Sequence, residues 1–593
     1  MRTLSSLSLL WGIVAPSALA FDAFRLPNPV ADGWLRIREE PTVLQHGEYV
    51  SMDFDLSQGD ASFNSTASHP YPDIVAGTFT QPLDHFDGST NLTFEQRYWY
   101  SLRHYNASRA PGTPSPVYVL DSGETNAEGR LPYLDHGIVD LLASKTGGIG
   151  VVLEHRYYGK SYPPREAFGP GEGWGVDELR WLNNRQALED SNNFARHVKL
   201  QGVSEPMNSN DQPYIAYGGS YPGARAAHLR VLFPEVWYGA FASSAVIAAV
   251  ESFPEYFYPL ARGINTTASQ ALQAAVAAMD TILAPEPWKG SKQPNRDEGK
   301  TKALLELAGL KGLTEPADFA QLVTLPLGEY QSVNWDDKIS PPDFATFIQR
   351  MVHTDEKALA PLRSKAKELG LTEEALPDEA LRLISYLRRT VIDPCISKNH
   401  TADECFGSAD YTSFIENKKL TSSKAWMFQV CTQWGYHQVA PPSYPPSDPP
   451  VFHSGGPKML SSLVDLSYSS AFCRRGFPPG KHFTIPARPD IDAVNSLGNF
   501  SLGAHTDRLG FIDGEFDPWR PATAHSVDFA GVKQRAHTLE RPFLLVANGT
   551  HHWDENGPTK GGSKPPGQVE AVHAEMIKAV QLWVRGWKGR KSA

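Results

Sequence analysis

The stretch Gly218-Gly219-Ser220-Tyr221-Pro222-Gly223 could present a serine as a nucleophile. The run 214–217 before it is apolar and aromatic and reads as a buried strand, and 224–233 after it reads as a helix. A serine between strand and helix sits on a sharp turn whose backbone crowds any neighbouring side chain, so small residues flank it. Its oxygen is then held at the strand tip, at the positive end of the helix. Unlike G-x-S-x-G, this motif has Pro222 two residues after the serine, with Gly223 one later. A serine hydroxyl needs a base, and the base needs an acid to fix its tautomer. Asp517, in Ile512-Asp513-Gly514-Glu515-Phe516-Asp517-Pro518-Trp519, can supply the acid. His551, in Asn548-Gly549-Thr550-His551-His552-Trp553-Asp554, can supply the base. The chain order serine, acid, histidine suits acyl transfer on a doubly covered sheet. Each candidate follows a predicted strand, where open α/β sheets place their ligands. Asp513 and His552 are the nearest competitors. The chemistry is hydrolysis through a serine-bound intermediate, and it calls for no cofactor and no metal.

Such a site requires a sheet to hold it. From about residue 78 to 244 short β-branched or aromatic runs alternate with amphipathic segments. Strands are predicted at 117–120, 149–153 and 214–217, and helices at 178–200 and 224–233. This alternation implies a parallel sheet covered by helices. The pattern returns with strands at 509–512 and 543–546. A last helix then carries Val569, Val572, Met576, Val580, Trp583 and Trp587 on one face. Between the halves, 247–439 is rich in Ala, Leu, Glu and Lys at helical spacing, as in 271–283, 300–310 and 378–390. The expected organisation is a leader at 1–20, an N-terminal extension at 21–77 and an α/β domain split into 78–246 and 440–593. The helical insertion 247–439 lies inside that domain, and the proline-rich stretch 440–450 forms a stiff connector after it.

Compartment and partners follow from composition. Arg2, the apolar run 7–14 and Ala18-Leu19-Ala20 make a cleavable secretion signal, with Phe21 as the expected mature start. That run is well short of the ~20 apolar residues a membrane span needs. The chain should be secreted, or delivered to a lysosomal or vacuolar lumen. Asn-x-Ser/Thr acceptors at Asn64, Asn91, Asn106, Asn265, Asn399, Asn499 and Asn548 agree with this route. Cys395, Cys405, Cys431 and Cys473 are even in number and allow three connectivities, of which Cys395–Cys405 with Cys431–Cys473 is the simplest. Zinc is the rival use of these thiols, but neither a C-x-x-C pair nor an H-E-x-x-H helix occurs. The 14 Trp, 22 Tyr and 28 Phe exclude a disordered chain. A net charge of −11 with no basic block beyond the short tail Lys588-Gly589-Arg590-Lys591 argues against nucleic acid or anionic membrane as a partner.

Several blocks resemble the prolyl carboxypeptidase family of serine peptidases, which includes Pro-X carboxypeptidases, dipeptidyl peptidase II and acid prolyl endopeptidases. They are Gln81-Pro82-Leu83-Asp84-His85-Phe86 with Phe94-Glu95-Gln96-Arg97-Tyr98, and Glu154-His155-Arg156-Tyr157-Tyr158-Gly159 with Ser161. Gln186-Ala187-Leu188-Glu189-Asp190, Phe428-Gln429-Val430-Cys431-Thr432-Gln433-Trp434-Gly435 and the blocks carrying Asp517 and His551 complete the set. The resemblance implies an α/β-hydrolase fold with a largely helical cap. It also implies a Ser220, Asp517 and His551 triad acting on peptides, in particular proline-containing ones. It assigns the oxyanion hole to the N–H of Tyr221 with a second donor near Gly123, although Ser122-Gly123-Glu124 stands where many relatives have Gly-Asn-Glu. Trp519 is placed against the proline ring, and His85 and His155 in structural hydrogen bonds. Other readings of the same scaffold are a catalytically silent binding protein, an esterase or an ordinary serine carboxypeptidase. An esterase of the lipase type would carry a His-Gly-Gly-Gly run, and an ordinary serine carboxypeptidase would lack the block at 81–86.

Overall fold

The computed structural model describes residues 71–88, 90–110, 112–171, 173–284, 296–441, 456–498, 506–526, 535–559 and 561–589. The leader, the N-terminal extension up to residue 70, nearly all of the proline-rich connector, Asn64 and Asn499 lie outside them. In chain order the strands are β1 (Ile74–Pro82), β2 (Thr93–Ser101), β3 (Val117–Asp121), β4 (Ile149–Leu153) and β5 (Tyr214–Gly219). They continue with β6 (Trp237–Ser243), β7 (Val250–Ser252), β8 (Gly435–His437), β9 (Leu509–Gly514) and β10 (Phe543–Val546). Eight of them form one sheet in the order β1-β2-β4-β3-β5-β6-β9-β10. β2 runs antiparallel to β1 and β4, and every other neighbouring pair is parallel.

Alternate residues of the central strands feed two apolar layers. Val117 and Val119 of β3, and Tyr214 and Ala216 of β5, face the layer that holds Ala224, Ala227 and Leu229 of the helix Tyr221–Leu232. Tyr118, Leu120, Ile215 and Tyr217 face the opposite layer, with the helices Ile138–Thr146 and Gly567–Gly586. Burial on both faces explains why these strands read as unbroken apolar runs. The last helix packs as its stripe foretells. Val569, Val572, Met576, Val580 and Trp583 are buried, and Trp583 stacks on Phe241 of β6 at 4.8 Å. Trp587 lies just beyond the helix and meets Tyr238 edge-on.

Two expected helices are divided. Instead of one helix over 178–200, a turn at Val176–Leu179 precedes a helix at Asn184–His197. The break is set by Asn183, whose side chain accepts from the Gln186 N–H at 3.0 Å and starts the second helix. The segment 378–390 is α-helical only over Asp378–Leu387 and then widens into a π-turn at Arg388–Ile392. Every regular element described between β7 and β8 is helical. The parallel pairing of these two short strands brings the end of that stretch back beside its start. Among the described residues no helix is long and apolar enough to cross a membrane. Asn91, Asn106, Asn265, Asn399 and Asn548 are all exposed.

Both expected disulfides are present, Cys395–Cys405 and Cys431–Cys473. The second joins the segment just before β8 to the helix Leu466–Gly476 across a separation of 42 residues. Loop-closure entropy puts such a link at about 4 kcal/mol, and a separation of 10 residues gives less. Replacing Cys431 and Cys473 together by serine is therefore expected to lower the thermal midpoint more than the same change at Cys395 and Cys405. Unfolding curves under non-reducing conditions check the order, and a larger loss from the shorter loop contradicts it.

Candidate active site

Ser220 lies between β5 and the helix Tyr221–Leu232, which it caps, with φ 62° and ψ −125°, outside the regions an L-residue ordinarily adopts. Its N–H donates to the Ser243 carbonyl at the end of β6 at 2.8 Å. A side chain on Gly218 would lie 2.2 Å from the Pro222 carbonyl oxygen, and one on Gly219 would lie 2.1 Å from Glu555 Oε1 and 3.0 Å from the His552 ring. Pro222 in place of the usual glycine has a physical basis. It is the second residue of the helix, where a missing N–H costs nothing. Its ring fills the space beside Gly123, where a Cβ would come within 2.3 Å of Pro222 Cγ. Gly123 takes φ 70°, and its N–H turns back to donate to Asp121 Oδ1 at 2.9 Å. The expected role of Gly123 as an oxyanion donor is corrected accordingly, because that N–H is spent holding its own loop. Asp121 in turn pairs with Arg225 of the nucleophile's helix.

Asp517 and His551 are brought together. His551 Nδ1 lies 2.8 Å from Asp517 Oδ2 and 3.0 Å from Oδ1, and both side chains are almost wholly enclosed. Asp517 Oδ1 also accepts the Trp519 N–H at 2.8 Å. Burial alone would raise the Asp517 carboxyl, but the His551 ring, Ser244 and the Trp519 N–H together hold it below its ordinary value. Burial also lowers His551, and the Asp517 charge offsets only part of that. The competitors have other partners. Asp513 takes His525 at 2.6 Å and Thr523 at 2.9 Å. His552 sits 3.1 Å from Glu555, whose charge and hydrogen bond together offset the large effect of burial and raise the imidazole. The His551 and His552 ring centres are 3.8 Å apart, and the His552 ring abuts Gly219, so the histidine loop meets the serine turn directly.

Trp519 is buried in an aromatic cluster. It stacks on Phe253 at 5.5 Å, meets Tyr256 and Tyr436 edge-on, and lies 6.4 Å from the His551 ring. Its Nε1–H donates to Gln331 Oε1 at 2.8 Å. His85 and His155 both make structural hydrogen bonds, His85 to Asp190 at 2.7 Å and His155 to the Tyr221 hydroxyl at 2.8 Å. Sequence reasoning missed Glu555 and the partners of Trp519. The three-residue step from His552 to Glu555 is the local signal that could have found the first.

Residues 81–293 match the family described as serine carboxypeptidase S28. A probable extracellular serine carboxypeptidase of Arthroderma benhamiae is 32% identical over 534 residues, spanning 86% of this chain and 68% of that protein. The serine protease vicPa of Bipolaris victoriae is 28% identical over 81% of this chain and 83% of its own length. The mouse thymus-specific serine protease is 25% identical over 98% of this chain and 97% of its own. The chain belongs to the serine carboxypeptidase S28 family. It is thus a serine peptidase with an α/β-hydrolase fold, and peptides are its substrates.

The Gly218 contact is with main chain that cannot step aside. Gly218→Ala is expected to cost about 1–3 kcal/mol of stability and most of the activity. Gly328→Ala, where nothing lies within 4 Å of the added methyl group, should leave both unchanged. Thermal unfolding and turnover of the two variants test this, and a Gly218→Ala enzyme with parental stability would show that the turn is not locked by this contact.

Proposed function

We propose that the protein is a secreted peptidase that cleaves bonds adjacent to proline, with Ser220 as nucleophile, His551 as base and Asp517 as the acid that orients it. The observation that carries this reading is the 2.8 Å His551–Asp517 contact beside a serine held at φ 62° between a strand and a helix. Asp517 binds the Nδ1 side of the imidazole, so Nε2 is the nitrogen left to take the Ser220 proton. Ser220 Oγ then bonds to the scissile carbon, the carbonyl electrons move onto oxygen, and the N–H of Tyr221 faces that oxygen. His551 returns the proton to the departing amine, and water repeats the sequence to free the acyl group. The helical stretch 247–439 would act as a cap over this cleft. Secretion is supported by the leader-like 1–20 segment and by the extracellular designation of the Arthroderma relative.

Proline selectivity rests on Trp519 and its aromatic neighbours. A pyrrolidine ring is flat and apolar, so a narrow aromatic slot beside His551 suits it.

Ser220→Ala and His551→Ala are expected to lower turnover by at least about 10⁴-fold, with the thermal midpoint of Ser220→Ala near the parent's and that of His551→Ala lower because Asp517 loses its imidazole. His552→Ala should keep far more activity but melt earlier, since Glu555 is left buried without its imidazole. Measured on one peptide substrate, near-parental turnover by Ser220→Ala would move the nucleophile elsewhere, and a dead His552→Ala with an active His551→Ala would exchange the two histidines.

Trp519→Ala should lower kcat/KM for proline peptides far more than for alanine peptides, and loss of so buried a ring should also cost about 3–5 kcal/mol of stability. A well-folded variant that loses both activities equally would remove Trp519 from the specificity pocket.

A further inference from the structure

The loop after β3 carries a group the triad does not use. Glu124, next to Gly123, is fully enclosed, and among the described residues neither carboxyl oxygen has a hydrogen-bond partner in another residue. A buried polar group without partners is costly, and an ionised one far more so. Such a group is a candidate for meeting a ligand.

Its surroundings place it beside Ser220. The charged and titratable groups around it are Asp121 at the end of β3, Arg130 on the short helix Ala127–Arg130, Tyr158 after β4, Tyr221, and His552 after β10. Tyr221 directly follows Ser220, and the His552 ring rests against Gly219, which directly precedes it. The same loop touches the turn through Gly123 and Pro222. A side chain whose neighbours flank Ser220 on both sides stands at the wall toward which a bound carbonyl oxygen would be directed. Its full enclosure is no obstacle, since Ser220 itself is only 1% exposed. The Gly123 N–H is committed to Asp121 and does not serve this wall.

We propose that the neutral carboxyl group of Glu124 is the second donor of the oxyanion hole, giving its O–H hydrogen bond to the substrate oxygen opposite the Tyr221 N–H. This rests on Ser220 being the nucleophile. As the Ser220 Oγ–carbon bond forms, the carbonyl π electrons move onto oxygen and that oxygen accepts from both donors. The Glu124 proton stays on Glu124, and collapse of the intermediate returns the electrons to carbon. A protonated carboxyl can serve in this way when its site keeps it neutral. Burial pushes Glu124 up to about 7, with Arg130 and His552 drawing it down and Asp121 pushing it further up. The donor therefore exists below about pH 7 and is lost as pH rises through that value. His551 must be neutral to act, and burial holds it below its ordinary 6.5, so the base still works on the acid side.

The rate constant for labelling by a fluorophosphonate, whose phosphoryl oxygen enters the same hole, reads this without a known substrate. It would be measured from pH 4 to 9 on the full chain, with the labelled serine mapped by mass spectrometry and folding followed by thermal unfolding. The parent should be labelled at Ser220, with a rate that falls above about pH 7. Glu124→Gln keeps an N–H donor that cannot ionise. It should react within about tenfold of the parent at pH 5 and lose the alkaline fall. Glu124→Ala should be about 10²–10³-fold slower at pH 5. Labelling at Ser220 with an alkaline fall unchanged in Glu124→Gln overturns the proposal, as does a folded Glu124→Ala variant with the parental rate. Labelling of another serine in the parent overturns the triad and the proposal together. Should Glu124→Ala fail to fold, the profile of Glu124→Gln alone decides.

Discussion

The backbone of one residue constrains most of what surrounds it. At φ 62° and ψ −125°, Ser220 occupies a conformation that costs a non-glycine residue about 1–3 kcal/mol, and it persists because its neighbours permit nothing else. β5 is hydrogen-bonded to β3 on one side and β6 on the other, so the strand cannot retreat. The Ser243 carbonyl captures the Ser220 N–H, and the helix that follows is buried over nearly its whole length. Glycines at 218 and 219 let Pro222 and the Glu555 side chain approach. The turn determines which residues may stand around it.

A buried polar lattice fixes the loops behind this turn. Glu154 takes Arg97 at 2.6 and 2.8 Å and Ser161 at 2.6 Å, while Asp190 takes Arg156 at 2.6 and 2.7 Å and His85 at 2.7 Å. His155 reaches the Tyr221 hydroxyl from the same segment. Ion pairs this deep gain little net stability, because desolvation offsets their attraction. Their effect is geometric: Arg156 reaches Asp190 and the Pro82, Leu83 and Trp181 carbonyls at once, which fixes the loop after β4 against the serine's helix. This accounts for the clustering of charged residues in the Gln81, Glu154 and Gln186 blocks, which composition alone leaves unexplained.

The parts of the fold that were legible in the sequence are those set by local chemistry. Ser220 is recognisable because only small residues survive beside it, the strands because they are apolar on both faces, and the last helix because its stripe is regular. The two disulfides followed from parity and spacing. What could not be read depends on contacts between distant residues. Nothing near residue 123 indicates that its N–H turns back onto Asp121, and nothing near Trp519 names Phe253, Tyr256, Tyr436 or Gln331 as its neighbours. The break before Asn184 was a local signal overlooked, since Asn183 is a strong helix-starting residue.

The adjacent histidines show how little of a residue's chemistry lies in its type. His551 and His552 share a loop and nearly touch, the first buried and the second largely so, yet burial prevails in one and a carboxylate in the other. The difference arises from their partners. Asp517 is held in its charged form by Ser244 and the Trp519 N–H as well as by His551, and burial still keeps His551 a weak base able to give its proton back. Glu555 is held charged by Arg130 and Tyr133 as well as by His552, and it pairs with His552 against Gly219. Asp554, between the two loops, is raised to about 6 by burial and by the Glu555 charge, and it is satisfied by Tyr217 and Ser243. A cluster with this many carboxyl groups can stay buried only if some of them are neutral, so its charge state is part of the architecture that holds the serine turn in place.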